Sequence, residues 1–160
     1  MDHELPFAPN ARPKSRTWQR RAFALLGAVL IAVVWGSVVQ TQFNITSLQS
    51  IGADISGVQR LRMTALDLIG FSPIYSAIVS LGMLCALPLA ALLARRWPGH
   101  RSELYALAGA VGIATAIRIV DIATPAPTLI AATRGIGGWL LMSLGAALAG
   151  WWFARRTSGD

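Results

Sequence analysis

Charge is scarce in this chain, and acid is scarcer than base. Charged side chains make up 13% of the 160 residues, seven acidic against fourteen basic, about half the share of an ordinary soluble domain. The single cysteine, Cys85, excludes an intrachain disulfide and any Cys-x-x-Cys redox pair. The two histidines, His3 and His100, lie outside the apolar runs, so no pair of intramembrane histidines is available to ligate haem. No Gly-x-x-x-x-Gly-Lys loop offers a phosphate cradle, and no cluster of His, Cys and carboxylate has metal-ligand spacing. No cofactor is expected. A proton-coupled exporter of small four-helix type needs a carboxylate in mid-span; the nearest acid, Asp121, falls close to the end of one run.

Apolar side chains, by contrast, make up 54% of the residues, and the mean hydropathy is +0.55. They come in spans. Ala22–Val39, Phe71–Ala94, Leu104–Ile117 and Gly135–Ala154 are free of charge. About 20 apolar residues cross a hydrocarbon core of ~30 Å as a helix. The third run reaches that length only by extending to about Ile122, which takes Arg118 and Asp121 into its last turns. The expected fold is therefore an all-α integral membrane protein: four transmembrane helices in an up-down bundle, with spans near 22–41, 72–94, 104–122 and 133–154. Residues 1–21, with Pro6, Pro9 and Pro13, read as a disordered basic tail, and 155–160 as a short tail at the other end.

The net charge of +7 is distributed along a membrane, not across a nucleic-acid surface. Ten of the fourteen basic residues fall in three patches: Arg12 to Arg21, Arg95 to Arg101, and Arg155 with Arg156. These patches flank alternate ends of the four runs and so share one side, which the positive-inside rule makes cytoplasmic. Anionic lipid accounts for such a surface and nucleic acid is not needed. Arg20-Arg21 preceding an apolar run resembles an export signal. The run is long for one, has no small-x-small cleavage site, and three more follow, so an uncleaved first helix is expected. The setting implied is a bacterial inner membrane, both termini cytoplasmic.

Between the first two spans, Ser56 and Gln59 form a capping-box signature and Gly70 offers a stop. Within 57–69, Val58, Leu61, Ala65, Leu68 and Ile69 fall on one arc, and Arg60, Thr64 and Asp67 oppose them. This spacing predicts a short amphipathic helix docked by its apolar arc, on the outer membrane surface or over the bundle mouth. Arg62 lies at the edge of that arc. Ser72-Pro73 reads as the cap and first residue of the second span, and Pro88 as a kink within it. Small residues recur every four positions at Ala108, Gly112 and Ala116, and at Ala146 and Gly150, a pattern that brings helix backbones close in lipid. Whether those faces meet within one chain or between chains is left open. Tryptophans 18, 97, 151 and 152 fall at the cytoplasmic interface and Trp139 at the outer one, as in an aromatic belt; Trp35 lies deeper and reads as packing.

The chemically unusual stretch is Arg118 to Arg134. Arg118 and Asp121 are three apart, which permits an ion pair on one helix face. Charge at bilayer depth costs on the order of 3 kcal/mol on insertion scales, so each should find a partner. Two readings stay open. In one, Arg118 and Asp121 clamp the loop 123–133. In the other, Arg118 and Arg134 hold an anionic head group or carboxylate at the outer mouth, with Asp121, Arg62, Gln40 and Asn44 lining the site. The expected function is that of a non-enzymatic structural or accessory component, whose partners are the bilayer and either its own copies or a larger membrane protein. The alternative is a lipid- or anion-binding protein, an enzyme or transporter included.

Overall fold

The computed structural model describes residues 14–124 and 130–158, with side chains from Thr17 onward. The expected disorder of residues 1–13 and the middle of the loop 123–133 lie outside the described residues. All regular structure among the described residues is helical: α1 (Lys14–Ser50), α2 (Gly57–Gly70), α3 (Ser72–Arg96), α4 (Arg101–Ala123) and α5 (Ile136–Arg156), with 3-10 turns at Pro98–His100 and Ala131–Arg134. Four of these helices, all but α2, are long and apolar enough to cross a membrane.

The first helix is much longer than its apolar run. Its 37 residues amount to about 55 Å at 1.5 Å per residue. Toward the N-terminus it takes in Lys14–Arg21, a stretch without glycine or proline once Pro13 is passed, so the expected tail is helical from Lys14. Toward the C-terminus it continues ten residues beyond Gln40, where the hydroxyls of Thr46 and Ser47 fold back onto the carbonyls of Gln42 and Phe43, at 2.9 Å each. What stops it is Gly52. Its φ of 94° lets Ala53 N–H reach Leu48 O while Gly52 N–H reaches Gln49 O, at 3.1 Å each, a Schellman turn that satisfies the last carbonyls.

At α2 the capping box forms as expected: Ser56 N–H donates to Gln59 Oε1 at 2.8 Å, and Gln59 N–H to Ser56 Oγ at 3.4 Å. The helix does not fold over the bundle by its apolar arc; its polar arc meets α1 and the apolar arc is left exposed. Val58, Leu61 and Ile69 are 80%, 73% and 76% exposed, whereas Arg60, Thr64 and Asp67 turn inward against α1. The reason lies in α1. Its extension presents Thr41, Gln42 and Gln49 where a docked apolar arc would have left them unsatisfied. Another local expectation changes too: Ser72 does not cap α3, but shares a 2.9 Å hydrogen bond with Ser37 of α1.

In the bundle, α1 packs on α5 and α3, and α4 packs on the same two helices. The small-residue faces meet within the chain. Gly109 lies against the carbonyl of Ala146, and Gly150 against that of Tyr105; a side chain at either would fall on a backbone oxygen. On its other side, α4 brings Gly112 against Gly82 and Ala86 of α3. Larger groups fill the remaining seams: the rings of Trp152, Trp35 and Tyr75 lie on Gly27, Gly145 and Gly36. Trp35 is thus a packing residue, its indole N–H bound to Leu141 O at 2.8 Å. Pro88 sits inside α3, which is a single helix throughout. The outward faces carry leucines such as Leu30, Leu81, Leu107 and Leu140, each more than half exposed.

Candidate functional site

The residues singled out from sequence gather at one end of the bundle without converging on one pocket. Gln40, on α1, is buried, and its side-chain carbonyl accepts from Ala132 N–H at 2.8 Å. An amide N–H at the start of a 3-10 turn has no helical partner of its own, so Gln40 supplies the acceptor that lets residues 130–134 sit against the bundle. Asn44, one turn further along, is half-buried and finds no hydrogen-bond partner among the described residues. Ile45 beside it is fully buried.

Asp121, near the end of α4, points into the same turn. Its Oδ1 accepts from Thr133 Oγ1 at 3.1 Å, and that hydroxyl also lies 2.9 Å from Ile130 O. Its Oδ2 is buried with no hydrogen-bond partner. Arg118 goes elsewhere: it is exposed, and its guanidinium lies 5.2 Å from the ring centroid of Trp139 on α5. No ion pair joins Arg118 to Asp121. Trp139 wins the cation because it is already fixed beside it, donating its indole N–H to Ala114 O at 3.2 Å. That carbonyl opens the helical turn carrying Arg118, so one ring clamps the turn and covers the charge. Arg134 is exposed at the end of its 3-10 turn, and Arg62 is exposed on α2. The three arginines are thus on three separate elements, on the outside of the molecule.

Several polar residues that sequence reasoning did not assign to the site do more at this end. Thr41, fully buried, donates to Asp67 Oδ2 at 2.8 Å. Gln42 meets both Thr64, at 3.4 Å, and Arg60, at 3.0 Å, and Arg60 extends to Gln49 Oε1 at 3.1 Å. Together with Ser37 and Ser72 these form a continuous polar seam. Tyr75 is fully buried, stacked on Phe71 with centroids 5.2 Å apart, and its hydroxyl has no hydrogen-bond partner. The seam had a sequence signal: Arg60, Thr64 and Asp67 recur at i, i+4 and i+7, as do Gln42 and Gln49 at i and i+7. Chemically, the described end of the bundle is a set of clasps, and its two hydroxyl–carboxylate pairs, Thr41–Asp67 and Thr133–Asp121, each join separate elements. Among the described residues, no group of three potential metal ligands occurs. Comparison with protein-family models, curated proteins and solved structures yields no match to this chain.

Proposed function

We propose that the chain is a non-enzymatic, multi-pass protein of a bacterial inner membrane, both termini cytoplasmic, acting as an accessory or structural component that docks a protein through α2. The up-down arrangement is supported by the order of contacts. Residues 27 and 35 of α1 meet 152 and 145 of α5, and residues 109 and 114 of α4 meet 146 and 139. The orientation is supported by the three basic patches.

The observation that carries the docking role is the outward-turned apolar arc of α2. Between Thr41–Asp67 and Gln49–Arg60 the seam covers nine residues of α1, or about 12 Å of rise from first to last. The helix thus runs along the polar extension of α1, beyond the apolar run, with its apolar arc turned away from α1. Burying a Leu, Ile or Val side chain contributes about 1.5–3 kcal/mol. Val58, Leu61, Leu66 and Ile69, each more than half exposed, make an incomplete surface until another protein covers it. The ligand-site alternative has less support, because Arg118, Arg134 and Arg62 sit on separate elements and Gln40 and Asp121 already have protein partners. A photo-reactive residue at position 61 or 69 of the full chain should yield one discrete protein adduct in cells, either this chain or a single partner. Position 59 should not. Adducts with lipid alone from 61 and 69 would refute the docking role.

A further inference from the structure

Between α3 and α4 runs a groove of about 600 Å³, lined from Ile78 to Leu93 on one side and from Leu104 to Val120 on the other. Its floor is low because Gly82, Ala86 and Gly112 bring the two backbones together there. Along α3 the lining spans sixteen residues, about 22 Å of helix rise from first to last. One leaflet is about half of a ~30 Å hydrocarbon core, so the groove is long enough for an acyl chain to lie in it through its leaflet.

The two ends of the groove differ. On α3 the lining positions Cys85, Leu89 and Leu93 are followed, at the next helical position on that stripe, by Arg96. Arg95 is beside it and exposed, and the guanidinium of Arg96 lies 5.9 Å from the ring centroid of the half-exposed Trp97. Arginine side chains at a helix C-terminus lean back toward the N-terminus, here toward the groove. Arg101, across the turn, is fastened to Ala154 O at 2.8 Å and to Thr157 Oγ1 at 2.8 Å, so it adds positive charge without moving. At the opposite end the stripe runs out through Ile74 and Ile122, both exposed and uncharged. Arg118 is not on this face, since it covers Trp139.

We propose that the α3–α4 groove binds one anionic phospholipid, an acyl chain along Gly82, Cys85 and Gly112 and the phosphate at Arg95 and Arg96. A cationic end, an interfacial tryptophan and a narrow apolar trough match an amphiphile with a negative head and a long tail. A transmembrane helix from a second copy would fill the trough but would leave the arginines without a counter-charge.

The single cysteine gives a reporter, because Cys85 is exposed in the groove wall. Full-length protein is delipidated in mild non-ionic detergent and titrated with phosphatidylglycerol or phosphatidylcholine. Bound lipid is counted by native mass spectrometry, and alkylation of Cys85 by N-ethylmaleimide is timed in parallel. One phosphatidylglycerol should bind roughly thirtyfold more tightly than phosphatidylcholine, the sum expected from two guanidiniums near one anionic head group. It should also slow the alkylation of Cys85. The double variant R95Q/R96Q, altered only at exposed positions, should keep its melting temperature without lipid and lose most of the preference. Equal binding of the two lipids overturns the proposal. So does a preference that survives in R95Q/R96Q, or phosphatidylglycerol binding that leaves Cys85 alkylation unchanged. A concentration-dependent dimer that cross-links through Cys85 would assign the groove to a second copy instead.

Discussion

Replacing Asp121 by asparagine separates an ion pair from a hydroxyl clasp at the C-terminal end of α4. If Asp121 were the buried counter-ion of Arg118, neutralising it would strand a charge at low dielectric, at a cost of about 3–5 kcal/mol. The observed geometry leads elsewhere. Asparagine keeps the Oδ1 that accepts from Thr133, and it exchanges one unpartnered buried polar atom, Oδ2, for another. The change should therefore fall within about 1 kcal/mol of zero, whereas Asp121→Leu, which removes a hydrogen bond to a charged group and leaves the Thr133 hydroxyl only Ile130 O as acceptor, should cost about 1–3 kcal/mol. Thermal unfolding of the full chain in mild detergent reads the difference. For a protein of this size, 1 kcal/mol moves the midpoint by about 2–4 °C. Asp121→Asn should stay inside that interval and Asp121→Leu should exceed it. Arg118→Gln, which removes the cation from the face of Trp139, should cost about 0.5–2 kcal/mol, and by the same amount whether position 121 is Asp or Asn. A fall of 6 °C or more for Asp121→Asn, about what a broken buried pair would give, would refute the clasp and restore the ion pair.

Gln40→Leu should lower stability by about 1–3 kcal/mol, because the Ala132 N–H at 2.8 Å loses its buried acceptor; Asn44→Leu, at a residue without such a partner, should melt close to wild type. Gly109→Val should be worse than the 1–3 kcal/mol usual for an overpacked core, since its Cβ meets the Ala146 carbonyl oxygen and not a movable side chain. Gly99→Ala, with open space around it, is the matched control, and monodispersity on size exclusion together with melting temperature reads both.

Three of the four apolar helices were legible in sequence as long uncharged runs, the third span, α4, only by carrying Arg118 and Asp121 into its last turns, and the capping box of α2 because two residues three apart define it. The length of α1 was not. Polarity marks where a chain leaves lipid, after Val39, but a helix ends where its carbonyls are satisfied, and that occurs at Gly52 with its positive φ. The orientation of α2 was half legible for the same reason. Periodicity separated its two arcs correctly, yet which arc docks depends on what the neighbouring surface offers. An α1 extended to Ser50 offers hydroxyls and amides, so Arg60, Thr64 and Asp67 face it.

The charged stretch drew attention in sequence because isolated charges at bilayer depth are expensive. Their spacing permitted a local pair, but the partners chosen, Trp139 for Arg118 and Thr133 for Asp121, come from beyond the helix, where spacing carries no information. The residues that hold this end together are uncharged. Within one and a half turns of α1, Ser37 reaches Ser72 at the start of α3, Gln40 reaches Ala132 before α5, and Thr41 reaches Asp67 on α2. Gly36, in the same turns, lies against the ring of Tyr75. Each of the three polar residues is at most 8% exposed. A neutral hydroxyl or amide is cheap to insert and gains its strength only when a partner meets it away from water. Such residues leave a weak trace in composition and a strong one in structure. The organising element of this end of the bundle is therefore the Gly36–Thr41 segment of α1, with Arg118 and Asp121 secured around it.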